Sequence, residues 1–308
     1  MKIALLCGGK FSFPSIQALV FEKYLFALGL GSPDKGMAKL LEDQSQKNGI
    51  DFMAFPDKAS LNKLPEWIKK NNPDAVFCIC FPFQIPKECL DLLPGKFINF
   101  HTGPLPQYRG PMPIFEVLKS MESETAIGVH IMNEEFDKGP LILNEIVQIK
   151  ESETFGSLSL SLSKRTALVA NCIAQMLEFG STIPIEDQST LSGSRYYPNP
   201  KENDTLILWK EMHAEQIIAL INACNPYNSG ADTMTQQMQF KIVSASVRDE
   251  EHAYQPGTII GLNDAKELQI ACIEDQILLV DFLHSDIGFQ NAKKFNDSFN
   301  LNGQVLLG

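Results

Sequence analysis

An amide and an imidazole close an otherwise apolar stretch, Phe97-Ile98-Asn99-Phe100-His101. On a strand, residues two apart project to the same side, so Asn99 and His101 share a face. Both can donate hydrogen bonds, and the imidazole adds charge when protonated. A rigid loop follows, Thr102-Gly103-Pro104-Leu105-Pro106-Gln107-Tyr108-Arg109-Gly110, whose glycines and prolines stop regular structure. The pair therefore lies where a buried strand opens into a loop, the edge at which α/β sheets bind ligands. Read alone, a turn Asn and a satisfied core His explain the pair equally well.

The elements around this stretch alternate. Apolar runs at 2–7, 25–31, 51–55 and 74–81 predict strands, and helices are expected over 13–24, from about 37, and over 61–70. Continuous apolar strands separated by helices predict a parallel, doubly wound sheet. The turn Gly8-Gly9 is not GxGxxG, so a dinucleotide site has little support. Helices are expected over 86–93 and 113–121, and strands over 97–101, 126–132 and 141–149. Residues 158–162 alternate like a strand. Phe155, Leu158, Leu162, Val169, Ile173 and Met176 also fit one long helical stripe, which is favoured. Pro184, Gly193, Pro198 and Pro200 mark 181–205 as an interdomain linker. Beyond it a helix at 214–224 precedes short alternating strands at 239–247, 257–261, 268–273 and 276–282. That spacing suits a small OB-like β-barrel. The expected fold is thus α/β, with a Rossmann-like, mostly parallel sheet domain at 1–180 and an OB-like β-barrel domain at 206–308.

Composition narrows the class. With 308 residues, 44% hydrophobic and 20% charged, the chain has material for a sizeable core. A net charge of −11 argues against a general affinity for phosphate backbones or acidic membranes. No apolar run approaches a membrane span, and the N-terminus lacks a signal-peptide core of adequate length. Seven Cys without CxxC predict reduced thiols, a cytoplasmic location, no disulfide frame and no zinc site. The five scattered His carry no metal-ligand spacing.

Residues 99–110 resemble the Asn-x-His-x-x-x-Leu-Pro-x-x-Arg-Gly signature of the methionyl-tRNA formyltransferase family. That family uses 10-formyltetrahydrofolate as donor and has a third catalytic residue in a downstream Asp-x-Gly turn. Asp137-Lys138-Gly139 stands in that place. Ala126-Ile127-Gly128-Val129, Asn225-Pro226-Tyr227, Gln255-Pro256-Gly257-Thr258-Ile259 and Asp281-Phe282-Leu283 extend the resemblance over nearly the whole chain. It implies that Asn99, His101 and Asp137 are catalytic. Formyl transfer to an amine passes through a tetrahedral oxyanion, which needs donors where the charge develops. Asn99 and a protonated His101 supply them. Asp137 would orient the imidazole, raise its pKa and take the proton shed by the amine. No covalent nucleophile is required. The resemblance also places the folate pterin beside the focal strand, near Phe81, Phe83, Gln84 and Ile85 and around Phe136 and Gly139. For Phe81 and Phe83, core filling explains the rings equally well. Arg109 either holds the loop through backbone carbonyls, the favoured role, or touches an acceptor phosphate. Gly103, Leu105, Pro106 and Gly110 shape the loop.

Departures from the family bear on the acceptor. Gly103 stands where Ser is common, and Gly9-Lys10-Phe11 replaces the Gly-Thr-Pro of the tRNA enzymes. Only Gly31-Ser32-Pro33-Asp34-Lys35-Gly36 stands where those enzymes carry a long basic insertion that grips the acceptor stem. From Leu206 onward there are 6 Lys and Arg against 13 Asp and Glu. Without counterion release, tRNA binding would be weak. The expected acceptor is a small amine such as an amino-sugar nucleotide, as for the formyltransferase half of the bacterial aminoarabinose-modifying enzyme. Initiator methionyl-tRNA and water, the latter giving hydrolysis of the donor, are the alternatives. The sequence says nothing of oligomeric state.

Overall fold

The computed structural model describes residues 1–307. It divides into two compact units. The first comprises Met1–Pro113, Glu124–Gln148 and Ser159–Tyr197; the second comprises Ile114–Ser123, Ile149–Leu158 and the chain from Pro198 onward.

In the first unit β1 (Ile3–Cys7), β2 (Leu25–Gly31), β3 (Asp51–Phe55), β4 (Ala75–Ile79) and β5 (Phe97–His101) run parallel, in the order β3-β2-β1-β4-β5. Two antiparallel strands, β6 (Glu124–Ile131) and β7 (Leu141–Gln148), extend the sheet beyond β5. This is the mostly parallel α/β sheet expected. Every residue of β1 and β4 is buried. A central parallel strand is covered on both faces, which is why these runs are continuous rather than alternating. Each fully buried Leu or Ile contributes about 1.5–3 kcal/mol.

The connecting helices are α1 (Phe13–Phe21), α2 (Lys35–Lys47), α3 (Leu64–Asn71) and α4 (Lys87–Leu92). Asp34 caps α2 by accepting from the Met37 N–H at 2.8 Å. Helix α3 buries Leu64, Trp67, Ile68 and Asn71, one face at helical spacing, and Asn72 ends it in the left-handed region at φ +42°. Residues 61–63, expected as the start of this helix, belong to a separate 3-10 turn over 58–63. Asp57 sets it through a reciprocal cap with Ser60, a local bond that competes with the longer helix. Helix α1 stops at Phe21, short of the expected boundary near Tyr24.

The units also contain α5 (Pro113–Lys119) and α6 (Phe155–Glu178). Residues 158–162 are helical, as favoured, with Leu158, Leu162 and Ile173 fully buried along one stripe. The segment 181–197, expected as the first part of a linker, belongs to the first unit and is bonded within it. Leu141 and Glu186 exchange backbone hydrogen bonds of 2.8 Å, and the Tyr197 N–H donates to the Arg109 carbonyl at 2.9 Å. Isolated bridges hold it, not a periodic apolar face, so its composition reads as linker.

The second unit carries α7 (Ala214–Cys224), β8 (Ala231–Met234), β9 (Gln239–Asp249), β10 (Ile259–Leu262), β11 (Leu268–Ala271), β12 (Gln276–Ser285), β13 (Gly288–Asn291) and α8 (Ala292–Phe299). Its strands are antiparallel in the order β10-β11-β12-β9-β8, with β13 on β12. Residues 303–307 pair with both edges. Leu306 N–H donates to the Gly257 carbonyl at 2.9 Å and Leu307 N–H to the Met234 carbonyl at 2.8 Å. This closes the sheet into the small barrel expected. Among the described residues no helix is long and apolar enough to cross a membrane.

Candidate active site

Strand β5 places Asn99 and His101 as its pattern requires, with His101 only 7% exposed. Antiparallel pairing sets Asn99 directly opposite His130 of β6. The β6–β7 turn then brings Asp137 back over the same spot. Gly139 makes that turn possible, because a Cβ there would lie 1.7 Å from the Ile131 carbonyl oxygen. Asp137 itself sits in the left-handed region, at φ +55°, a conformation Asp tolerates better than most residues.

Four side chains converge. Asp137 Oδ1 lies 3.6 Å from His101 Nδ1, 3.7 Å from His130 Nε2 and 3.4 Å from Asn99 Nδ2. Asn99 Nδ2 is 3.1 Å from His130 Nε2. Asp137 Oδ2 accepts from the Gly110 N–H at 3.1 Å. His101 Nε2 faces the Tyr108 carbonyl at 2.7 Å. A carbonyl only accepts, so this nitrogen carries the hydrogen and Nδ1 is the atom turned to the carboxylate. By the same argument His130 Nδ1, 3.1 Å from the Ile131 carbonyl, is protonated, and its Nε2 faces Asn99 and Asp137. Burial would push the Asp137 carboxyl up. The charges of His101 and His130 and the Gly110 N–H outweigh it and hold the group at about 2.

The loop residues find their places around this cluster. Leu105 and Asn144 exchange hydrogen bonds of 3.0 and 2.7 Å, and Pro106 follows a cis peptide bond. A Cβ on Gly103 would meet Pro113 Cβ at 2.6 Å, and one on Gly110 would lie 2.0 Å from the Tyr197 carbonyl oxygen. Glycine is thus dictated by close approach at both positions. Arg109 is 7% exposed and spends its guanidinium inside the protein. Nε donates to the Asp137 carbonyl at 3.0 Å, one terminal nitrogen to Ser194 Oγ at 2.8 Å, and the other to Gln188 Oε1 at 2.9 Å.

Phe81 and Phe83 pack against the core cluster containing Phe55, Trp67, Ile85 and Phe97, with Phe81 and Phe83 in an edge contact at 5.6 Å. Gln84 is exposed and donates to the Glu134 carbonyl at 2.7 Å, tying its loop to the Asp137 turn. Phe136 is 53% exposed and adds no side chain to the cluster. Beside β5 lies a cavity of about 520 Å³. It is lined by Leu90, Leu93, Phe97 and Met132, with Lys87 and Glu134 among its polar groups.

His130, Gln188 and Ser194 escape the sequence reading. His130 reads as one more position in an alternating strand, and only its register against β5 reveals its role. Gln188 and Ser194 sit in the segment whose composition reads as linker.

Residues 32–169 match the family model for formyl transferase, and residues 200–298 match the model for the formyl transferase C-terminal domain. The chain belongs to this family of formyl-transferring enzymes. It is 30% identical over 317 residues to the methionyl-tRNA formyltransferase of Syntrophus aciditrophicus, covering 99% of this chain and 97% of that protein. An N-formyltransferase from Helicobacter canadensis, in complex with folinic acid and dTDP-3-aminofucose, shares the fold with a TM-score of 0.71 at 15% identity. The match covers 91% of this chain and 98% of that one. HypX from Aquifex aeolicus matches 97% of this chain at 15% identity and a TM-score of 0.64, but the chain spans only about half, 49%, of HypX.

Proposed function

We propose that this enzyme moves a formyl group from 10-formyltetrahydrofolate to a primary amine, and that the amine is a small acceptor such as an amino-sugar nucleotide. The observation that carries the reading is the convergence of Asn99, His101 and Asp137 at 3.4–3.6 Å, from separate parts of the chain, on one end of β5. The donor supplies the formyl carbon. The cavity beside Phe97 and Met132 is lined by Lys87, Asp91, Glu134 and Glu135 as well as by Leu90 and Leu93, and it includes none of the residues expected to hold the pterin, so the place of the donor rests on the family resemblance.

In this reading the Asn99 amide and Nδ1 of a protonated His101, which face Asp137 in the resting site, turn to the formyl oxygen as negative charge develops on it. Asp137 stays ionised at neutral pH and keeps Nδ1 of His101 turned toward it. A carboxylate held at about 2 is a weak base. Asp137 therefore orients the imidazole in the resting site, and it takes the proton shed by the amine, directly or through water, only as that amine becomes strongly acidic on attack.

Two features favour a small acceptor over tRNA. Only Ser32, Pro33 and Asp34 separate β2 from α2, leaving no basic insertion there. The acidic balance after Leu206 offers no electrostatic footprint. The 30% identity to a methionyl-tRNA formyltransferase supports initiator tRNA as the second reading. The deciding experiment presents purified enzyme and donor with dTDP-linked and other nucleotide-linked amino sugars, with charged initiator tRNA, and with water alone. Turnover of a sugar nucleotide is expected. Efficient turnover of the tRNA, or formate release without any amine, would overturn the choice of acceptor.

A further inference from the structure

Gln188 is 1% exposed, yet both ends of its amide are used. Nε2 donates to the Asp137 carbonyl at 3.0 Å and to the Gly139 carbonyl at 2.7 Å. Oε1 accepts from Arg109 at 2.9 and 3.3 Å. The orientation is forced, because carbonyls only accept and a guanidinium only donates. Arg109 also donates to the Asp137 carbonyl, and the neighbouring Gly110 N–H to the Asp137 carboxylate. The turn bearing Asp137 is thus fastened to the catalytic loop directly by Arg109 and Gly110, and one buried amide bridges Arg109 to the turn at both Asp137 and Gly139. Asp137 is the residue that needs fastening. Its backbone is in the left-handed region, and its carboxylate must face two imidazoles and an amide at once.

We propose that Gln188 is a positioning residue for formyl transfer, clamping the Asp137 turn to Arg109 so that the carboxylate is aimed at His101. The proposal rests on reading Asp137 as part of the reacting site. Gln188 touches neither the carboxylate nor the imidazole and acts only through main chain and Arg109. A Glu at 188 would set its oxygens against the carbonyls of Asp137 and Gly139.

The test compares the parent enzyme with Gln188→Met, which keeps length and packing but loses the amide, and Gln188→Glu, which keeps acceptors for Arg109 but loses both donors. Thermal melting identifies a variant that does not fold. Folded Gln188→Met is expected to lose at least about tenfold in kcat with the donor KM within about twofold, the pattern of a misaimed group. Gln188→Glu is expected to be at least as impaired. Independently of turnover, the ¹³C signal of the Asp137 carboxyl is followed against pH. In the parent it should remain that of the ionised form down to about pH 3.5, and in Gln188→Met it should begin to titrate above that. A folded Gln188→Met that keeps kcat within twofold, or loses only KM, with an unmoved carboxyl titration would overturn the clamp. A parent enzyme that transfers no formyl group and releases no formate would overturn the activity instead, and the carboxyl titration would still decide the clamp.

Discussion

Asp137 is the most consequential single residue, because three charged or polar partners share one of its oxygens. Its carboxyl lies at about 2 against an ordinary 3.8. A depressed carboxyl contributes stability that is complete above about pH 4 and is lost as pH falls through about 2. The shift corresponds to about 2 kcal/mol. Asp137→Asn is therefore expected to lower stability near neutral pH by an amount of that order, and to flatten the acid end of the stability curve. Urea titrations at several pH values check this. His101→Ala is expected to cut kcat by about 10²–10³ and also to lower the melting temperature, since it removes a donor to the developing charge and empties a buried site that holds the Tyr108 carbonyl and the Asp137 carboxylate. A loss smaller than twofold in single-turnover assays would contradict the role given to it here. Arg109 shows how an exposed-type residue becomes structural. With its guanidinium bonded inward to Asp137, Gln188 and Ser194, its loss is expected to destabilise the protein as well as slow it.

At the scale of elements, β5 and the loop after it were legible because their chemistry is written in sequence order. Two polar residues at period two, then glycines and prolines, identify a strand end and a rigid loop. The Asp137 turn is legible only through the family resemblance, which places an Asp in a downstream Asp-x-Gly turn, and Gly139 is required there by the Ile131 carbonyl. His130 was not found, because strand register is a property of two chains of residues and not of one. Short elements were missed for a different reason. Strand β8, Ala-Asp-Thr-Met, is too short for a pattern to stand above its surroundings; α8 is also short but repeats apolar residues at helical spacing in Ala292, Phe295 and Phe299, and Asn291 starts it by a side-chain cap at 2.9 Å. Gly103 carries the prediction that belongs at this scale. Gly103→Ser, which restores the commoner family residue, would place Cβ 2.6 Å from Pro113 Cβ. It is expected to destabilise the enzyme by about 1–3 kcal/mol in calorimetry, as overpacking does.

For the whole molecule, charge bears on the acceptor proposed above. With a net charge of −11, a short β2–α2 connection and an acidic second unit, the surface offers few cations to a phosphate backbone. Initiator tRNA is expected to show no saturable filter binding below roughly 10 µM at physiological salt, the non-specific range. Sub-micromolar, steeply salt-dependent binding would reverse this. The segment 181–197 has a further consequence. It lies between residue 169, where the first family match ends, and residue 200, where the second begins. Swapping modules between relatives at those boundaries would therefore strand Gln188 and Ser194 with the wrong donor parent. Chimeras joined before residue 181 would inherit a foreign brace for the Asp137 turn, whereas those joined after Tyr197 would keep the native one.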